Sequence, residues 1–166
     1  MKCLTPSECY NWVSSRGMTD RPYRRSMGPT AQFRIKKSEN ELTLIAKRVA
    51  EVLQSDSELL LVIDDWSSYR DYEMERIMGI RKQAGELRWV IDAPGHELKA
   101  IEPELRYRLI HFILSAESGW CAYLYAFPSR LTLLLWEGDI IDLWAEKRGT
   151  VKKFEAFLES IKPQIV

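Results

Sequence analysis

The residues whose types and spacing could do chemistry are Asp64, Asp65, Asp92 and His96. Asp64 and Asp65 follow the apolar run Leu59 to Ile63, and Asp92 follows Leu87 to Ile91. In α/β sheets ligands collect at the carboxyl ends of strands, so these acids form a candidate catalytic group. Carboxylates converging there would hold Mg²⁺ or Mn²⁺, because hard cations prefer oxygen donors, and His96 or the neighbouring Glu97 would assist in hydrolysis or phosphoryl transfer. The competing use of an aspartate after a strand is to cap a helix or brace a turn. A divalent metal enters only with the hydrolase or phosphotransferase reading; no resident cofactor or metal is assigned otherwise.

The second candidate is charge. Between Arg16 and Lys37 the chain carries Arg21, Arg24, Arg25, Arg34, Lys36 and Lys37, with Asp20 as the only acid, among Gly, Pro, Ser and Thr. Such a segment could hold an acidic protein surface or a phosphate, and the polar-loop residue Trp66 could add an aromatic contact. Alternatively its arginines pair with acids elsewhere in the fold. The formal net charge of +0 gives no global attraction to nucleic acid or to an anionic membrane, so nucleic acid is a minor expectation.

Other chemistry has less support. Cys121 lies in a strand-like run between Trp120 and Ala122 and reads as an inert buried thiol. His111, between Ile110 and Phe112, reads as a packed residue. Ser67 and Ser68 lack the glycine-flanked elbow of a hydrolase nucleophile, and the chain has neither a Gly-rich phosphate loop nor paired Cys or His zinc spacing. Three cysteines without close pairs fit a reduced cytoplasm. No run approaches the roughly 18 apolar residues of a membrane span, so neither secretion nor membrane insertion is expected.

The elements that would position these residues can be read from periodicity. Thr5-Pro6-Ser7-Glu8 predicts a helix start, with Gly17 closing the helix near Arg16. Gln32 to Ile35 reads as a short strand and Glu39 to Gln54 as an amphipathic helix. Leu59 to Ile63, LLLVI, reads as a strand covered on both faces. A helix from Asp71 carries Met74, Ile77, Met78 and Arg81 and closes at Gly85; a second strand, Leu87 to Ile91, is then expected. Ala93 to Glu97 reads as a tight loop with an exposed His96. A helix opened by Pro103 should bury Leu105, Leu109 and Phe112 and turn Arg106 and Arg108 to water. Gly119 to Trp144 reads as a three-stranded meander, and a last helix after Thr150 buries Phe154, Phe157, Leu158 and Ile161.

At Ala93-Pro94-Gly95-His96, Glu102 and the Gly119-Trp120 pair, the chain resembles a bacterial family of unassigned function that shares an Ala-Pro-Gly-His loop and a later Gly-Trp step. The resemblance covers about the second half and brings no activity or cofactor with it. Where members carry a Ser-His-Asp-like turn before the last strand, this chain has Trp136-Glu137-Gly138-Asp139, so no histidine is carried over to that turn.

The expected architecture is a single three-layer α/β domain spanning 1–166, in which 1–31 form a peripheral helix and basic loop. Its sheet is expected to be mixed, parallel in the first half and antiparallel in the C-terminal meander, with helices on both faces. The expected function is that of a cytoplasmic, non-catalytic interaction or regulatory protein that binds an acidic or protein partner. The alternative is a metal-dependent hydrolase or phosphotransferase.

Overall fold

A computed structural model describes the chain except for residues 36–37, 66–69, 118–119, 137–139 and 162–166 and the side chains of 65 and 158–161. Among these residues the sheet has seven strands: β1 (Lys2–Leu4), β2 (Ala31–Arg34), β3 (Glu58–Asp65), β4 (Gly95–Lys99), β5 (Cys121–Phe127), β6 (Leu131–Trp136) and β7 (Ile140–Ala145). They lie in the order β1-β4-β3-β5-β6-β7-β2. Among the described residues five α-helices accompany them: α1 (Pro6–Ser15), α2 (Glu39–Val52), α3 (Asp71–Gln83), α4 (Pro103–Leu114) and α5 (Arg148–Ile161).

Every strand pair is antiparallel, which overturns the parallel first half expected from alternating strands and helices. The expectation failed at Leu87 to Ile91, which is not a strand; the residues that pair with β3 are Gly95–Lys99. Val62, near the C-terminal end of β3, faces Gly95, the first residue of β4. α3 and the segment 84–94 therefore make a closed excursion that returns the chain to the end it left, and the new strand must run backwards. Gly85, at φ +81°, turns the chain out of α3 in the left-handed region that side chains resist.

The two faces of the sheet are covered unequally. Leu59, Leu61 and Ile63 of β3, with Leu124, Leu133, Leu135 and Leu143, pack beneath α2, α3, α4 and α5 in the main core. Leu60 and Val62 point the other way, to a smaller cluster closed by Cys9, Trp12 and Val13 of α1. All five residues of Leu59–Ile63 are fully buried, and each contributes about 2 kcal/mol from removal of its apolar surface from water. One side-chain row crosses the whole sheet: Cys3, His96, Leu61, Leu124, Leu133, Leu143 and Ala31.

The N-terminal arm is more integral than expected, because β1 forms one edge of the sheet. The Thr5 cap is present as a capping box with Glu8. Gly95 has a packing reason to lack a side chain: a Cβ there would meet Cys9 Sγ at 2.3 Å.

Arg106 corrects a further expectation. It does not face water but is 1% exposed, donating to the carbonyls of Leu53 (3.0 Å), Asp56 (3.0 Å) and Lys99 (3.1 Å). Its spacing explains this: Arg106, Leu109 or Ile110, and Ile113 share one stripe of α4. Trp144, the last aromatic of the meander, is buried at 8% exposure and gives its indole N–H to the Met27 carbonyl at 3.2 Å.

Candidate interaction surface

The structure separates the four residues read as catalytic. Asp64 lies at an irregularity in β3, where Ile63 faces Ala122 and Asp65 faces Cys121, so one extra residue is inserted against β5. Its carboxylate accepts hydrogen bonds from Arg21 Nε and, at 3.1 Å, from Arg24 Nη2. The side chain of Asp65 lies outside the described residues. Asp92 is exposed on the loop before β4.

His96 occupies neither an exposed loop nor the Asp64 face. It is fully buried in β4, opposite Leu61 on the face covered by α3. Its Nδ1–H donates to the Leu61 carbonyl (3.3 Å), and its Nε2 accepts from Arg81 Nη1 (3.0 Å). Burial first, and the Arg81 charge second, push its pKa down to about 3, so the ring is held neutral. Asp64 and His96 therefore lie on opposite faces of the sheet.

Two arginines of the basic segment, Arg21 and Arg24, are tied down. Arg21 bridges Asp20 (2.9 Å) and Asp64, and although burial opposes its charge, these acids raise its pKa. Its backbone N–H donates to Tyr125 Oη at 2.8 Å. Tyr23 donates to Asp142 at 3.0 Å, a buried carboxylate that also accepts from Gln32 (2.7 Å) and Trp136 (2.9 Å). Arg25 is exposed, whereas Lys36, Lys37 and Trp66 lie outside the described residues.

A different constellation emerges at the β1 edge. Arg81 of α3 is fully buried, and no carboxylate pairs with it among the described residues. Its guanidinium donates to the carbonyls of Ala93 (2.9 Å), Arg88 (2.9 Å) and Trp89 (3.4 Å) besides His96, while Nε has no partner among the described residues. Burial lowers its pKa. One arginine thus bonds the carbonyls of residues 88, 89 and 93, and the Trp89 carbonyl also accepts from the N–H groups of Asp92 (3.1 Å) and Ala93 (3.2 Å), so the segment closes on itself as a turn and does not pair with a strand.

Arg88 fastens the same loop from outside. It bonds the Cys3 carbonyl of β1 at 3.0 Å and grips Glu86 at 2.6 Å, and these bonds hold the Glu86 carboxyl at about 2. The loop covers the sheet edge in this way. Val90 is the only one of its apolar residues from 87 to 91 that turns inward, at 1% exposure; Leu87 (73%), Trp89 (58%) and Ile91 (62%) face solvent.

Against protein-family models, curated proteins and solved structures alike, the chain has no match. The site must be judged on its own geometry. Sequence reasoning missed Arg81 as the organiser of this loop, although the signal was available. Met74, Ile77 and Arg81 fall on one helical stripe, which places the arginine among buried residues. Among the described residues no helix is long and apolar enough to cross a membrane.

Proposed function

We propose that this is a non-catalytic interaction protein that docks a protein partner through Leu87, Trp89 and Ile91. The observation that carries the reading is the combination of exposure with rigidity. Three large apolar side chains stand in water on a loop held by a buried guanidinium from beneath and by Arg88 at the sheet edge. A pre-organised aromatic and aliphatic anchor loses little conformational entropy on docking, which is how a few side chains come to dominate an interface. The Glu86–Arg88 pair satisfies two of the loop's charges and Asp92, beside Ile91, stays exposed, so the partner surface that suits it is an apolar pocket with a polar or basic rim.

A metal-dependent hydrolase built on Asp64, Asp92 and His96 would need side chains from opposite faces of the sheet to meet, and Asp64 already serves two arginines. An acidic partner for the basic segment would compete with Asp20 and Asp64 for Arg21.

The reading is tested by placing a photo-crosslinking amino acid at position 89 in the full chain within its native cells. One discrete protein adduct, abolished by L87S/I91S while the unfolding free energy from urea titration stays within about 0.5 kcal/mol of the parent, is the expected result. Diffuse labelling, or an adduct unaffected by L87S/I91S, overturns it.

A further inference from the structure

Between α3 and α4, away from the apolar loop, lies an open groove of about 200 Å³ lined by Glu75, Arg76, Gly79, Tyr107, Arg108 and His111 among others. From its residues we infer that it binds a small phosphate monoester, with Arg76 and Arg108 as the anion-binding groups.

Both arginines are positioned, and among the described residues neither forms an ion pair. Arg76 donates to Ser115 Oγ (3.1 Å) and His111 Nδ1 (3.0 Å), and Arg108 donates to Gln83 Oε1 (2.7 Å). Every one of those partners is uncharged in this arrangement, since a His111 Nδ1 that accepts from a guanidinium belongs to a neutral ring. His111 is held from its other side by Thr43 Oγ1 at 3.2 Å, and burial and the Arg76 charge both lower its pKa. Each guanidinium has five N–H donors and among the described residues uses one or two, so several remain for an incoming oxyanion. The contrast with Arg81 and Arg106 on the same two helices is direct: those are buried and bonded to backbone carbonyls.

Gly79 supplies the second line of argument. It sits inside α3, where glycine forfeits helix stability relative to alanine, yet a Cβ there would meet nothing within 4 Å. Packing against the rest of the chain therefore does not require a glycine. Its bare surface widens the groove between the two arginines' helices and lets a ligand approach α3 closely. Glu75 on the rim limits the total positive charge, which disfavours a polyanion such as nucleic acid and suits a single phosphate group, while the Tyr107 ring offers a wall to the ester's organic part.

The test is an NMR titration of the full chain with sodium phosphate and with O-phosphoserine, using sodium chloride of equal ionic strength as reference. Saturable shifts centred on residues 76, 79, 108 and 111, with a Kd below about 1 mM, are expected. R108Q should weaken binding by about tenfold, the loss of one charge-assisted contact. G79A should raise the melting temperature and yet weaken binding, opposite signs that a purely structural glycine would not give. Absence of saturation up to about 20 mM, or saturation that both R108Q and G79A leave unchanged, overturns the inference.

Discussion

Segments 16–30 and 84–94 are both irregular and both lie against the sheet, but they are held in opposite ways. The first is sewn down from the sheet side: Asp64, Tyr125, Asp142 and Trp144, all strand residues, take Arg21 and Arg24, the Tyr23 hydroxyl and part of its backbone. The second is held by an arginine reaching from the helix layer, and its apolar side chains are left outside. Charge in a sequence is thus a poor guide to a free charged surface when the neighbouring strands carry acids. Alternating apolar residues are an equally poor guide to burial when the segment closes into a turn held by a guanidinium.

The sharpest way to break this comparison is at the clamp. R81M should remove the donors of three loop carbonyls and of His96, costing about 3 kcal/mol in urea unfolding and accelerating amide exchange across 88–93. If exchange there is unchanged, the loop is not held by Arg81 and the two segments do not differ as described.

A smaller effect follows from pH. His96 has a folded pKa of about 3 against the ordinary histidine value of 6.5 in the unfolded chain, so between these values the unfolded chain binds a proton that the folded chain refuses. The stability from neutral His96 is complete above pH 6.5 and is lost as pH falls toward 3. At pH 5 the loss should be about 2 kcal/mol relative to pH 7, and H96Q should flatten that dependence in parallel urea titrations. The smallest expected change is on the other segment. D64A should cost about 1 kcal/mol and loosen residues 19–25 while leaving exchange at 88–93 unaltered; a disturbance reaching the β1 edge would show that the segments are not independent.

The local elements were legible where side chains decide them: the Thr5 capping box, the stripe of α2 and the fully buried LLLVI strand. Strand direction was not, because it depends on the length and path of the excursion from Asp65 to Gly95, and a helix followed by an apolar alternation imitates a crossover. The candidate site was legible only in pieces. Asp64 was read correctly as sitting at a strand end, but its partners Arg21 and Arg24 lie some forty residues earlier, and no spacing rule links them. Arg81 was read among the apolar residues of its helix, although its partners were not foreseen, whereas the habit of assigning arginine to water hid Arg106.

The tight meeting of Gly95 with Cys9 gives the N-terminal arm a built-in timer. Cys9 Sγ sits where no further atom fits, and burial lifts its thiol to about 12, so a thiol reagent reaches it only in the moments when α1 swings off the sheet. Cys3, on the neighbouring strand and facing the other layer, is pushed up to about 11 and answers instead to departures of β1 and of the loop that Arg88 fastens to it. The relative labelling rates of these two sulfurs would therefore rank, in one unmodified chain, how often each cover of the sheet's edge lifts.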